Sequence, residues 1–515
     1  MPRSADRRSF LRSAAFAPAA AALADMPLLR RLTPVAAADV RPDPSMVQFT
    51  ADVEPLVRLI EETPRDKLLE KVAERIQSGT TYRQVLAALQ LAGIRNVQPR
   101  PSVGFKFHAV LVVNSAHLAA LNSPDEHRWL PIFWALDYFK DAQARDVSEG
   151  DWTMPAVAES RVPKADKARA IFVEAMDAWD EAKADVAAAA LARTAGADEL
   201  FELFCRYGAR DFRAIGHKAI FVANATRTLQ CIGRQHAEPI MRSLAYALLN
   251  HEGAPNPAQS DLEPDRPWRE NVARAKKIRP DWLVGKLDAQ ATRDLLSTLY
   301  DGTWQDACDQ TVEILNSGVG PQSVWDALLL EGGELLMRQP GIVGLHTLTT
   351  TNALRYAFDQ AGSDETRKML LLQNVAFLPM FREAMKQRGK VQPTKILELE
   401  PMKSANGAAE GAKSQPLDAI FESVSRDRST AARETLSYIA AGGDVEQFAH
   451  AAQLLVFLKG RDSHDYKFSS AVLEDFRNLS PEWRGRYLAA SVFNLLGSRG
   501  PDSPLVARTK SALSA

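Results

Sequence analysis

Residues 217–227 read H-K-A-I-F-V-A-N-A-T-R, and residues 346–355 read H-T-L-T-T-T-N-A-L-R. In both stretches a histidine comes first, and an asparagine followed by alanine comes six or seven positions later. Apolar residues recur between them at the three- and four-residue spacing of an amphipathic helix. Residues 108–117, H-A-V-L-V-V-N-S-A-H, and 464–473, H-D-Y-K-F-S-S-A-V-L, share much of this pattern. The chain therefore contains four similar helix-forming segments, each headed by a histidine.

Each of these segments follows a glycine-led helix start and an amphipathic helix. The starts are Gly79-Thr80-Thr81, Gly196-Ala197-Asp198, Gly302-Thr303 and Gly442-Gly443-Asp444, and Thr and Asp are good N-cap residues. A third helix closes each unit, and Ser123-Pro124-Asp125 and Ser480-Pro481-Glu482 predict where two of these helices begin. The pattern predicts four three-helix units over about 79–145, 196–252, 302–390 and 442–497, with extra helices near 164–193 and 270–300.

Helical periodicity continues through most of the chain, whereas strand-like alternation is nearly absent. The sequence therefore predicts an all-α fold in which residues 39–515 form one helical repeat domain around a common core. Hydrophobic residues make up 46% of the chain, which is enough for such a core. Residues 253–267 and 387–417 have no helical period and are predicted to be loops.

The N-terminus has the features of a targeting segment. Residues 7–12 give the pattern R-R-x-F-L-R, and an alanine-rich run from Ala14 to Ala24 follows. This resembles a twin-arginine signal, with cleavage expected after Ala24 or after Ala38. Residues 1–38 are therefore predicted to be a signal peptide and leader. The predicted route is the twin-arginine export machinery, which would deliver a folded protein to the periplasm or outside the cell.

The overall composition narrows the class of partner. A formal net charge of −1 argues against nucleic acid or an acidic membrane surface as the main partner. No stretch of the sequence is long and apolar enough to predict a stable membrane span. Cys205, Cys231 and Cys308 form no C-x-x-C pair, and buried free thiols are expected rather than a Cys205–Cys231 disulfide.

The candidate site consists of the four histidines that head the similar segments: His108, His217, His346 and His464. If the units surround a common axis, equivalent positions converge, and converging neutral imidazoles bind a borderline cation such as Fe, Cu or Zn. Alternatively, each histidine caps its own helix and never meets the others. Lys467 lies three residues after His464 and shares its helix face. A nearby cation favours its neutral amine, which can take up carbon dioxide to form an anionic carbamate ligand.

Two runs resemble a known family. Residues 460–467 give G-R-D-x-H-x-x-K, and residues 344–355 give G-L-H followed by five residues and N-A-x-R. Both resemble the questin oxidase-like family of helical proteins, which includes ring-opening oxygenases of anthraquinone pathways. The resemblance covers most of the chain from about residue 75 to the C-terminus. It implies a non-haem iron held by four histidines and a carboxylated lysine, here His108, His217, His346, His464 and Lys467.

The resemblance favours an exported, metal-dependent oxygenase that acts on a small organic substrate, with aromatic compounds as one class. Two other functions fit the residue pattern. One is a non-catalytic helical repeat protein that binds a partner on its inner face and uses the histidines structurally. The other is a zinc-dependent hydrolase. Metal analysis separates the three, because iron favours the oxygenase, zinc favours the hydrolase and no metal favours the binding protein.

Overall fold

The computed structural model describes residues 45–99, 105–123, 125–249, 256, 261–402 and 416–514. These residues form 22 α-helices and no β-strand, which confirms the predicted all-α class. The predicted signal peptide, residues 1–38, lies outside the described residues. The helices in chain order are α1 (Glu54–Glu62), α2 (Leu68–Gln77), α3 (Tyr82–Asn96), α4 (His108–Leu121), α5 (Leu130–Glu149), α6 (Ala165–Ala178), α7 (Glu181–Thr194), α8 (Ala197–Ala209), α9 (His217–Ile232), α10 (Ala237–Leu248), α11 (Arg266–Ala275), α12 (Ala289–Asp301), α13 (Trp304–Asn316), α14 (Pro321–Arg338), α15 (Ile342–Gln360), α16 (Asp364–Lys386), α17 (Leu417–Val424), α18 (Arg428–Ala440), α19 (Val445–Lys459), α20 (Ser463–Asn478), α21 (Pro481–Ser491) and α22 (Pro504–Ser514).

Four of these helices, α4, α9, α15 and α20, form an inner ring. Each contacts the next in that order, and α20 contacts α4, so the ring is closed. Each inner helix also contacts the helices that precede and follow it in the chain: α3 and α5, α8 and α10, α14 and α16, and α19 and α21. The four histidine-bearing segments therefore lie at the centre of the fold, with their sequence neighbours packed around them.

Capping side chains explain where several outer helices begin. Thr81 and Thr303 form capping boxes at the starts of α3 and α13. Asp444 accepts hydrogen bonds from two backbone N–H groups in the first turn of α19. Gly196 occupies the N-cap of α8 without a side-chain bond. Each of the four predicted starts therefore coincides with a helix start, and three of them are stabilised by a side-chain cap.

Two predicted boundaries are wrong, and one predicted unit contains an additional helix. Residues 125–127 form a 3₁₀ turn, and α5 begins only at Leu130, with Pro131 in its first turn. The predicted loop 253–267 ends too late in the sequence, because α11 already begins at Arg266, with Pro267 in its first turn. In the third predicted unit, α14 lies between the capped helix α13 and the histidine helix α15, so that unit has one helix more than expected.

Two hydrophobic clusters pack around the inner ring, one running from Val47 to Ala512 and the other from Leu296 to Leu495. Helix α15 contributes to both, with Leu354 in the first cluster and Leu348 in the second. The three cysteines are free thiols; Cys205 and Cys308 are buried as predicted, whereas Cys231 is half-buried. In the described ranges, no helix combines the length and the apolar character that crossing a bilayer requires.

Candidate metal centre

The four histidines of the inner helices meet inside the ring. The possible ligand atoms of His108, His217, His346 and His464 all lie within 4.8 Å of one another. Nε2 of His217 lies 3.2 Å from Nε2 of His108 and 3.0 Å from Nε2 of His346. The ring centroid of His464 lies 4.8 Å from that of His108 and 5.4 Å from that of His346. The predicted convergence is observed, and the alternative of four separate capping histidines is wrong.

Local backbone geometry brings the rings together. His108 and His217 are the first residues of their helices, His464 is the second residue of α20, and His346 lies one turn inside α15. Before His217, Gly216 has φ +82°, and a Cβ at this position would lie 1.9 Å from Oγ1 of Thr350 on α15. Glycine therefore allows the start of α9 to approach α15 closely.

Hydrogen bonds to backbone carbonyls fix the tautomers of two rings. Nδ1 of His217 lies 2.8 Å from the carbonyl oxygen of Ala214, and Nδ1 of His346 lies 2.6 Å from that of Ile342. A carbonyl only accepts, so each Nδ1 carries the proton, and in a neutral imidazole Nε2 then has a lone pair. The two Nε2 lone pairs face each other at 3.0 Å. They repel unless a cation binds both, and an outer N–H fixed by a carbonyl is typical of metal-ligating histidine.

The nitrogen spacing fits a single first-row transition metal. Two nitrogen ligands at about 2.1 Å from one ion are about 3.0 Å apart at a 90° angle and about 3.4 Å apart at a tetrahedral angle. The Nε2 separations of 3.0 and 3.2 Å lie in this interval. Two ligand nitrogens on opposite sides of one ion are about 4.2 Å apart. A pair of nitrogens at the upper limit of 4.8 Å would therefore move about 0.6 Å closer together when the ion binds.

Burial keeps all four rings neutral. It lowers the pKa of His217 to about 3 and lowers the pKa values of His108 and His346 well below the usual range. Burial also lowers the pKa of His464, although the Asp462 carboxylate, 3.4 Å from its Nδ1, acts in the opposite direction. Neutral imidazole is the form that binds a metal, so the four rings are in the ligand form at neutral pH.

Lys467 lies on α20 one turn beyond His464 and is 3% exposed. Its Nζ has no hydrogen-bond partner among the described residues, and burial lowers the pKa of the amine to about 7. Burial is the main cause of the lowered pKa of each of the four histidines, and the positive charge of Lys467 is a further cause. The Lys467 amine therefore lies near all four rings. The four-histidine group itself contains no carboxylate, so a carbamate on Lys467 would supply the site with negative charge.

A narrow cavity extends from Lys467 along the inside of the ring. Two layers of side chains line this cavity. The first comes from residues three positions after the histidines, or about 4.5 Å further along each helix. The second consists of the small polar residues of the repeated pattern. The first layer contains Lys467, Ile220 and Thr349, and the second contains Asn114, Asn224, Asn352 and Ser470.

An ion pair borders this cavity at the end away from the histidines. Arg227, which lines the cavity, pairs with Glu474 at 2.6 Å. Asn352 donates hydrogen bonds to Glu474 at 2.7 Å and to the buried Asp475 at 2.9 Å. Sequence analysis does not identify the two acidic residues. The signal for Asp475 is its position eleven residues after His464, which returns to the same helix face after three turns.

The Asp475 carboxyl group makes the stability of the protein depend on pH. Burial raises its pKa to about 7, whereas an aspartate in an unfolded chain has a pKa of about 3.9. The folded protein binds this proton more tightly, so the stability from this group is present below pH 4 and is lost as the pH rises to about 7. We expect Asp475→Asn to raise the free energy of unfolding at pH 8 by up to about 4 kcal/mol, with little gain at pH 4.

Denaturant titrations of the wild type and the variant across this pH range measure the effect. Asp281→Asn, at a carboxylate that is 70% exposed, serves as a control that should leave the pH profile unchanged. Parallel pH profiles for the wild type and Asp475→Asn would contradict the prediction.

Comparison with protein-family models identifies no matching family, and comparisons with curated proteins and with solved structures give no match either. The interpretation of the site therefore rests on the residues and their geometry.

Proposed function

We propose that this protein is a mononuclear non-haem iron oxidoreductase, an oxygenase acting on a small organic substrate. The observation that carries the proposal is the convergence of four neutral imidazoles, two of which have lone pairs directed at each other at 3.0 Å. The resemblance of the G-R-D-x-H-x-x-K run to questin oxidase-like proteins supports the same chemistry. It also supports aromatic compounds as a substrate class.

Iron is favoured over zinc by the resemblance of residues 460–467 to questin oxidase-like proteins, because imidazole by itself suits iron, copper and zinc alike. The four histidines and a carbamate on Lys467 would hold the ion, and the carbamate would offset part of its positive charge. Bound iron would supply the capacity for one-electron and dioxygen chemistry.

The other residues of the site hold and supply this centre. The carbonyls of Ala214 and Ile342 orient two of the rings. The cavity beside Lys467 is narrow and has room for a molecule about the size of water or dioxygen. Oδ1 of Asn114, which has no hydrogen-bond partner among the described residues, would accept a hydrogen bond there, and the Arg227–Glu474 pair would limit the entry of water.

Metal analysis of the purified protein tests the proposal. We expect about one iron per chain and dioxygen consumption that stops when the iron is removed by a chelator. Zinc at the same stoichiometry would support the hydrolase. A chain that binds no metal after loading with iron, copper and zinc salts would support the binding protein instead.

Export forms a separate part of the proposal and rests on the R-R-x-F-L-R run alone. Changing both Arg7 and Arg8 to Lys should leave the precursor folded in the cytoplasm, because the twin-arginine route reads the arginine pair. Cell fractionation followed by immunoblotting measures the distribution. A variant with Arg3 and Arg12 changed to Lys serves as the charge-matched control. Normal export of the Arg7/Arg8 variant would show that another route is used.

A further inference from the structure

An aromatic stack runs from helix α20, which carries His464 and Lys467, towards the protein surface. The ring of Tyr466 stacks on Trp134 with centroids 4.0 Å apart and 24° between the ring planes. Trp134 in turn stacks on Tyr138 at 5.0 Å and 11°. Tyr466 lies on α20 between His464 and Lys467, whereas Trp134 and Tyr138 lie one turn apart on α5. The first two rings are buried and Tyr138 is half-buried.

The hydroxyl group of Tyr466 has no structural explanation. The side chain is fully buried, and its Oη has no hydrogen-bond partner among the described residues. An unpaired buried polar group costs about 1–3 kcal/mol, and phenylalanine would fill the same space without that cost. Native proteins contain few such groups, and a redox role is one of the reasons they occur.

The charged groups around Tyr138, at the outer end of the stack, stabilise a ring that has lost an electron. Tyr138 donates a hydrogen bond to Oγ of Ser463 at 3.3 Å. Burial and the negative charges of Asp462 and Asp141 raise the pKa of Tyr138, with Arg145 acting in the opposite direction. Two carboxylates against one guanidinium give a net negative field, which stabilises positive charge on the ring.

We propose that Tyr466, Trp134 and Tyr138 form a one-electron path that carries oxidising equivalents from the metal centre to the surface. This inference rests on the proposed function, since the metal is the source of the oxidising equivalents. Hydrogen peroxide would be the oxidant, since it takes up two electrons and two protons and becomes two water molecules. The stack would supply both electrons to bound iron, one at a time, and each time Tyr138 loses an electron its phenolic proton passes to solvent.

A one-electron reductant in solvent, such as ascorbate, returns an electron and a proton to Tyr138 and restores the stack. The path would therefore protect the buried histidines from oxidation when no substrate is present. It would also provide a place where an external donor delivers electrons to a site that is buried inside the ring of helices. The chemical class of that donor is a small one-electron reductant that can approach a half-buried tyrosine.

Rapid-freeze electron paramagnetic resonance tests the path on iron-loaded protein mixed with one equivalent of hydrogen peroxide. The wild type is expected to give an aromatic radical signal, and Trp134→Phe is expected to lose it. Mass spectrometry should then show more oxidation of the four histidines in that variant. Tyr138→Phe, which removes only a hydroxyl group from the outer end, should convert the signal to a tryptophan type that ascorbate reduces slowly.

Trp325→Phe is the matched control, because Trp325 is also fully buried and lies outside the stack. It should keep the wild-type radical yield. A wild-type radical yield in Trp134→Phe would overturn the electron path, as would an unchanged signal type in Tyr138→Phe or iron-loaded wild type that forms no aromatic radical. A wild type that binds no redox-active metal would overturn the proposed function itself, and metal analysis before the addition of peroxide shows this separately.

Discussion

Replacing His217 by alanine is expected to lower the affinity for the metal by more than about 100-fold, because changes to groups that only orient a ligand already cost about 10- to 100-fold. His217 has the greatest effect of the four rings, since its Nε2 lies within 3.2 Å of both His108 and His346. Isothermal titration with ferrous iron under anaerobic conditions measures the change.

Thermal unfolding provides a second measure of the same loss. A metal present at about 100 times its dissociation constant adds about 2.7 kcal/mol to the stability of the folded state. The wild type should therefore unfold at a higher temperature with metal, and His217→Ala should not. His117→Ala is the matched control, because His117 also lies on an inner helix, α4, but its Nδ1 is 3.0 Å from Oη of Tyr82, outside the site. Unchanged iron binding by His217→Ala would remove the basis of the proposed centre.

The second large effect is expected at Lys467. A protonated amine about 4 Å from a cation is repelled by about 4 kcal/mol per unit charge at an effective dielectric constant of 20. The buried amine, whose pKa is lowered to about 7, therefore has to lose its proton when the metal binds, and as a carbamate it would become a ligand. Lys467→Ala should lose metal and activity. Bicarbonate with a short carboxylic acid such as propionate should restore part of both, because the shortened side chain leaves room for a carboxylate.

Two further substitutions separate the carbamate from simpler roles of Lys467. Lys467→Met fills the same space without a charge, so carboxylates should not rescue it, although its metal-free form should be more stable because no unpaired amine is buried. Lys467→Arg should also fail, since a guanidinium keeps its charge. Full metal content and activity in Lys467→Ala would show that Lys467 is not a ligand.

The sequence by itself determined the helical class and the candidate ligands. Helical periodicity is a local property, so it can be read wherever apolar residues recur at three and four positions. Histidines at the heads of four similar segments identified His108, His217, His346 and His464, and the three-residue spacing to His464 identified Lys467. The organisation into four repeated units and the export signal remain predictions, and residues 1–38 lie outside the described part of the chain.

Only the tertiary structure decided how these residues act together. The closure of α4, α9, α15 and α20 into a ring depends on contacts between distant segments. The tautomers of His217 and His346 depend on backbone carbonyls whose positions no side-chain pattern reports. The Arg227–Glu474 pair and the stack of Tyr466 on Trp134 each join residues from separate helices. Periodicity reports which face of a helix is buried, whereas packing decides which residue of another helix that face meets.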